Sequence, residues 1–162
     1  MNVKRILFPT DFSHCNDAAL KYASTLAADA NALLYIVHVE ERPDISAAMG
    51  EAGFAYPSAY DTADSAEVRD RLTKVVPTVA EVAYDHHFLT GSPLREILKF
   101  AEREHVDLIV MGSHGRTGLS RLLMGSIAEG VMRKALCPVL IVKQPTGQCE
   151  PTDEIGSYVA QQ

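Results

Sequence analysis

The sequence has no apolar run long enough to cross a bilayer. Its longest stretches, such as "PVLIV" from Pro138 to Val142, fall far short of the ~20 residues a membrane helix needs. Positive charge is also scarce: 15 Lys and Arg stand against 21 Asp and Glu, for a net charge of -6. That balance argues against a nucleic-acid binder that relies on a broad basic face. Cysteine is sparse and scattered. Cys15, Cys137 and Cys149 form no C-x-x-C pair, which argues against a zinc or dithiol site and leaves small buried or incidental thiols. The amino-terminal "MNVKRILFPTDFS" lacks a signal peptide's apolar core, because Pro9, Asp11 and Ser13 interrupt it; the expected location is the cytoplasm. No repeat recurs at solenoid spacing.

What is present is ordinary for a globular domain. Hydrophobic residues make up 47% and charged residues 22% of 162 residues, so one domain with a real core is expected, with no global disorder or coiled coil. The chain alternates short β-branched apolar runs with segments of helical period. "VKRILFP" reads as a strand ending at Pro9. In "SHCNDAALKYASTLAADA", Ala18, Ala19, Tyr22, Ala23, Leu26 and Ala27 form one helical stripe, with Ser13 as the N-cap. "ALLYIVHVE" is a strand apolar almost throughout, as expected when both faces are covered.

From Glu40 to about Asp64 the periodicity dissolves. This long connection either carries a short helix or a lid, or is a tolerated surface insertion. A helix is expected from Ser65 to about Val75, extending at most to Pro77, then a strand in "EVAYDHHFLTG". "SPLREILKFAEREH" is a helix with Ser92 as N-cap, Pro93 at its first position, and Leu94, Ile97, Leu98 and Ala101 as its apolar face. "VDLIVMG", "SIAEGVMRKAL" and "CPVLIVK" complete the pattern as strand, helix and strand. Five strands with intervening helices point to an open parallel sheet covered on both faces. The domain is expected to span 1–143, and 144–162 to form a polar tail that Ile155, Tyr158 and Val159 could dock.

In such a sheet the ligand crevice lies at the carboxyl ends of the strands, where strand order reverses. Two loops carry the chemistry it needs. "FPTDFS" offers the Asp11 carboxylate and the backbone of Pro9 and Thr10. "MGSHGRTGLSRLLMGSIAE" has Gly112, Gly115 and Gly125 followed by Ser126 at a helix start. Glycines let backbone N–H groups approach a phosphate, and a helix N-terminus adds donors and the positive dipole end. The plainer reading is a turn, with Ser126 and Glu129 as a capping box. Arg116 and Arg121 either screen phosphate charge or are solvated. The loop is neither a Walker A motif nor a full G-x-G-x-x-G fingerprint. His86 and His87, adjacent on a strand, point to opposite faces and cannot readily share a metal ion. Gly130, inside the last helix, is expected to serve close packing against the sheet.

The G-x2-G-x9-G-S spacing, with the "PTDFS" start and the "CPVLIVK" end, resembles the universal stress protein family in its nucleotide-binding branch, over Val3 to Lys143. Another branch of that family lacks these glycines and does not bind ATP. The resemblance implies an open α/β fold, Rossmann-like and adenine nucleotide alpha hydrolase-like, with strand order 3-2-1-4-5. It further implies that Asp11 meets the adenosine part of ATP, AMP or ADP, with Pro9, Thr10 and Val39 lining the adenine pocket. Met111, Gly112, Gly115, Gly125, Ser126 and Ile127 would enclose ribose and phosphates, with His114 and Arg116 at variable positions of the motif. Mg or Mn would ride on the phosphates, since no dedicated carboxylate cage is visible. A homodimer through the last strand, Pro138, Val139, Leu140, Ile141 and Val142, is also implied, and would close an apolar edge. The function implied is a dimeric, nucleotide-dependent stress-response regulator. The alternative is a slow ATPase or a nucleotidyl- or phosphoryl-transfer enzyme, for which the motif supplies donors but no evident base or P-loop lysine. A dimeric interaction module without nucleotide is a third possibility.

Overall fold

A computed structural model describes residues 3–41, 63–113 and 124–143. In chain order the elements are β1 (Arg5–Pro9), a single 3-10 turn (His14–Asn16), α1 (Asp17–Ala30), β2 (Leu33–Glu41), α2 (Ala63–Thr73), β3 (Tyr84–Gly91), α3 (Pro93–Arg103), β4 (Leu108–Gly112), α4 (Ser126–Lys134) and β5 (Val139–Val142). The sheet runs β3-β2-β1-β4-β5, and every neighbouring pair is parallel. The expected order 3-2-1-4-5 is the observed one. The connection expected over 40–64 begins later, because β2 continues through Glu41; 42–62 and the tail 144–162 lie outside the described residues.

Alternation along the central strands builds two cores. Ile6, Phe8, Leu34, Ile36 and Val110 face α1 and α2, meeting Ala19, Ala23, Ala27 and Leu72. Leu7, Tyr35, Val37, Ile109 and Met111 face α3 and α4, meeting Ile97, Phe100, Ala101, Ala128 and Val131. Ile6, Leu7 and Phe8 are almost completely buried, each burial contributing roughly 1.5–3 kcal/mol. His86 and His87 diverge as their strand positions require. The His86 Nε2 lies 2.7 Å from the Val75 carbonyl, to which it donates, whereas the His87 ring packs against Phe100 at 4.7 Å on the other face.

Several local expectations need correction. Tyr22 is 57% exposed; the buried stripe of α1 instead takes in Ser24, whose hydroxyl donates to Leu20 O at 2.7 Å and accepts from Thr78 N at 3.0 Å. That pairing makes burial of a hydroxyl tolerable. The helix ends in a Schellman arrangement at Asn31 (φ 47°), with Ala32 N on Ala27 O and Asn31 N on Ala28 O. On α3, Phe100 joins the apolar face and is buried more completely than Leu94 or Leu98. Ser92 holds the N-cap backbone position, its carbonyl accepting from Glu96 N at 2.9 Å, but its side chain makes no cap bond. α2 ends at Thr73, short of Val75, and β3 starts at Tyr84, after Glu81 turns the chain at φ 70°.

α4 begins differently from the expected capping box. Gly125 is its N-cap, its carbonyl accepting from Glu129 N at 2.9 Å, and Ser126 is already inside the helix. The Glu129 carboxylate lies by Arg133, at 3.4 Å, rather than reaching back to the helix start. The helix stops at Lys134, leaving Leu136 90% exposed. Gly130 faces not the sheet but α3: a Cβ there would stand 2.7 Å from a Leu94 methyl. Cys137 is half-buried, and burial pushes its thiol above the ordinary value, which favours the neutral form. The Cys15 side chain and Cys149 lie outside the described residues. Among the described residues no helix is long and apolar enough to cross a membrane.

Candidate functional site

β1 and β4 lie side by side, yet their register covers only Ile6 with Leu108 and Leu7 with Ile109. Past Leu7 and Ile109, toward the carboxyl ends, the two strands share no further register pair. β1 continues toward α1 on one face of the sheet, and β4 leads to α4 on the other. This is the geometry of a switch-point crevice.

The first wall is the turn after β1. Thr10 N donates to Val37 O at 2.8 Å, carrying the β2 pairing one residue past Pro9, and Thr10 Oγ1 accepts from Phe12 N at 3.1 Å. Phe12 is left-handed at φ 64°, a costly conformation for an aromatic residue that neighbouring contacts must enforce. Its ring lies 4.3 Å from the His38 ring and 4.7 Å below the Arg71 guanidinium. His38, buried on β2, donates from Nδ1 to Thr10 O at 2.8 Å, because a carbonyl can only accept.

This strained turn fixes the Asp11 carboxylate. Its Oδ1 accepts from Ser13 N at 3.0 Å, Ser13 Oγ at 2.6 Å and Asn16 Nδ2 at 2.6 Å. The Ser13 hydroxyl, expected to cap the helix, makes no cap bond and serves Asp11 instead. Asn16 reaches both walls: its Oδ1 also accepts from Gly112 N at 3.3 Å. It is 8% exposed.

The second wall begins at Met111 and Gly112, both buried. Ser113 N donates to Val142 O at 3.0 Å, and Ser113 O accepts from Gly125 N at 2.8 Å. The two ends of the glycine-bearing segment are thereby clipped together, and α4 starts beside the end of β4. Ser126 and Ile127 are exposed on its first turn, where helix N–H groups lack intrahelical acceptors. Val39 is half-buried against the same apolar cluster as Met111. His114, Gly115, Arg116 and Arg121 lie outside the described residues.

A separate cavity of about 380 Å³ lies behind the first wall, between Phe8, Thr10, Phe12, Ser13, Asn16, Asp17 and Leu20 and the end of α2 at Arg71, Lys74, Val75 and Val76. It includes none of Val39, Gly112, Gly125 or Ser126. The crevice is therefore assigned by its converging donors and not by this cavity. Among the described residues no cluster of His, Cys, Asp or Glu is arranged to hold a metal ion. Sequence reasoning missed Asn16, His38 and Ser113. His38 and Ser113 sat inside apolar or glycine-rich stretches, and Asn16 resembled any polar residue ahead of a helix.

A doubly wound α/β sheet with a polar turn and a glycine-flanked helix start at its switch point defines a broad class of open α/β folds whose ligand crevice lies at that point. Within that class the relatives are specific. The Universal stress protein family model matches residues 2–143. Universal stress protein MJ0531 of Methanocaldococcus jannaschii is 38% identical over 144 residues, covering 88% of this chain and 83% of its own. The solved structure of hypothetical protein MJ0577 superposes with a TM-score of 0.76 at 30% identity, covering 91% of this chain and all of its own. A universal stress protein solved in complex with cAMP superposes with a TM-score of 0.56 at 25% identity, over 88% of this chain and 98% of its own. The chain belongs to the universal stress protein family.

Proposed function

We propose that this chain binds an adenine nucleotide, ATP or its di- or monophosphate, in the crevice between the β1 turn and the start of α4, and acts as a dimeric, nucleotide-dependent regulator. The observation that carries the reading is the convergence of an oriented carboxylate, Asp11, with the Gly112 backbone through Asn16, and of Gly125 with the same wall through its N–H bond to Ser113 O. The relative solved with cAMP supports the ligand class. Asp11, Pro9, Thr10 and Val39 serve the adenosine end. Met111, Gly112, Gly125, Ser126 and Ile127 serve ribose and phosphates, together with His114, Gly115 and Arg116 of the motif. The α4 N-terminus suits the phosphate end because its N–H groups and dipole favour an anion. A divalent ion, Mg or Mn, would travel on the phosphates.

The dimer reading rests on β5. It is an edge strand whose Leu140 is 37% exposed, and pairing with a second copy would cover that edge. Light scattering at the mass of two chains is the expected result.

The deciding experiment is mass spectrometry of the denatured, purified protein for carried-over adenine nucleotide, followed by calorimetry with ATP, ADP, AMP and Mg²⁺. Absence of both carry-over and binding rejects the proposal. Turnover on the order of 1 per second or faster would replace the regulator by an enzyme.

A further inference from the structure

Asn16 occupies the N-cap position of α1, where asparagine ordinarily accepts from its own helix, yet its side chain makes no cap bond. It is turned inward and buried, its Nδ2 donating to Asp11 Oδ1 at 2.6 Å and its Oδ1 accepting from Gly112 N at 3.3 Å. The first arm fixes the carboxylate of one wall; the second holds the peptide where the other wall begins. β1 and β4 have already stopped pairing at this height, so the amide side chain takes the place of the missing backbone ladder.

From this geometry we infer that Asn16 is a positioning residue that couples the adenosine half of the crevice to its phosphate half. The inference rests on the nucleotide reading above. Asn16 need not touch the ligand: it sets the Asp11 carboxylate and the Gly112 peptide in one frame, so that a nucleotide filling one half finds the other already aligned. An amide is required, because a donor must face Asp11 while an acceptor faces Gly112.

Asn16→Asp tests this at nearly constant shape. The acceptor for Gly112 N is kept, but the arm toward Asp11 becomes a second carboxylate at close range. Two carboxylates so placed do not both ionise readily, and one of them holds its proton to higher pH. Protonated, the introduced carboxyl donates to Asp11 and restores the original pattern. ATP affinity is measured by calorimetry on wild type and variant from pH 5.5 to 9. The expected variant deficit is about tenfold at the alkaline end, the scale of one hydrogen bond to a charged group, shrinking to within about threefold at the acid end. Other charged groups border this region: Asp17, paired with His14 at 3.3 Å, and Arg71 and Lys74 across the neighbouring cavity. His38 lies behind Thr10. The wild-type titration at each pH removes their contribution.

Asn16→Ala, which loses both arms, is expected to show a similar deficit with no acid recovery, and stands in should Asn16→Asp fail to fold. ATP affinity within twofold of wild type for the folded variants across the range overturns the inference. So does a fall in melting temperature with affinity and its pH profile unchanged, which would mark Asn16 as merely structural. A wild-type protein that binds no adenine nucleotide at any pH removes both this inference and the reading beneath it; binding by wild type with indifferent variants removes this inference alone.

Discussion

At the amino-terminal rim of the β1/β4 pair, Asp107 Oδ2 accepts from two amides at the start of β1, Lys4 N at 2.8 Å and Arg5 N at 2.9 Å, while the Arg5 guanidinium donates to Glu104 O at 2.9 Å. At the carboxyl-terminal rim the join runs through Asn16 to Asp11 Oδ1 and Gly112 N. Both rims add a side chain to the backbone pairing: the lower one beside a backbone bond from Asp107 N to Arg5 O at 2.9 Å, the upper one past the last register pair. The lower one sits at the entry to two strands, where a carboxylate pins neighbouring N–H groups and the nearby left-handed residue, His105 at φ 50°, is the turn that ends α3, with His105 N on Glu102 O and Val106 N on Ala101 O. The upper one is mounted on a turn with an aromatic residue at φ 64°, and its carboxylate stands at the crevice. Strain of that kind persists where surrounding contacts over-determine it, and it clusters at sites that bind or switch. Under the proposed nucleotide reading, the difference separates a rim that serves stability from one that serves a ligand, and substitutions at each should move different observables.

The largest effect is expected at the upper rim. Gly125 has φ -59° and ψ 143°, a conformation open to β-branched residues, and its N–H bond to Ser113 O does not involve a side chain. Gly125→Val should therefore leave the fold intact while placing a branched side chain where the proposed site puts the phosphates, at the α4 N-terminus. ATP affinity is expected to fall about 100-fold or more, roughly 2.7 kcal/mol, with the melting temperature within about 2 °C of wild type. Calorimetry and thermal melts together check this. A variant that keeps its affinity would move the ligand away from the upper rim.

At the lower rim the signs reverse. Asp107→Ala removes the acceptor of two charge-assisted bonds, but both lie in exposed surroundings where water partly replaces it. The expected loss is about 1–2 kcal/mol by urea unfolding, with ATP affinity unchanged within about twofold. A stability change near zero would mean that the Ile6 and Leu7 pairing holds the strands without help. A tenfold loss of affinity would mean that the rims are coupled through the sheet, and the separation drawn here would fail.

The sequence carried the layout of elements well, because buried parallel strands are apolar without interruption and the helices between them keep their period. "RILFP", "LLYIVHV" and "LIVMG" could hardly be anything else. Polar side chains with two possible partners were far less legible. Ser13 and Ser126 both looked like caps, yet the Ser13 hydroxyl chose a carboxylate two residues back and the cap of α4 fell to Gly125. Local spacing cannot decide such competitions, since a hydroxyl bonds to whichever partner the tertiary fold brings nearest. Asn16 was beyond reach for the same reason in stronger form: its partner Gly112 lies 96 residues away. Tyr22 fitted the helical stripe but is held outside it, where the alanine face of α1 closes tightly on the sheet.

The smallest effect is expected from a substitution that touches neither rim. Gly130 lies within α4, where alanine is favoured over glycine by about 1 kcal/mol, but the added Cβ would meet a Leu94 methyl at 2.7 Å and another at 3.0 Å. Those methyls are the tip of a flexible, half-buried side chain, so α3 can yield by rotating Leu94 rather than by moving its backbone. The two contributions should nearly cancel, leaving Gly130→Ala within about 1 kcal/mol of wild type in unfolding free energy and indistinguishable in ATP affinity. A loss above about 2 kcal/mol would show that Leu94 is locked in place and that α3 and α4 pack as one rigid layer. An altered affinity at preserved stability would be more telling, because it would mean that small shifts of α4 along α3 reach its N-terminus. The upper rim would then be set by helix packing as well as by Asn16.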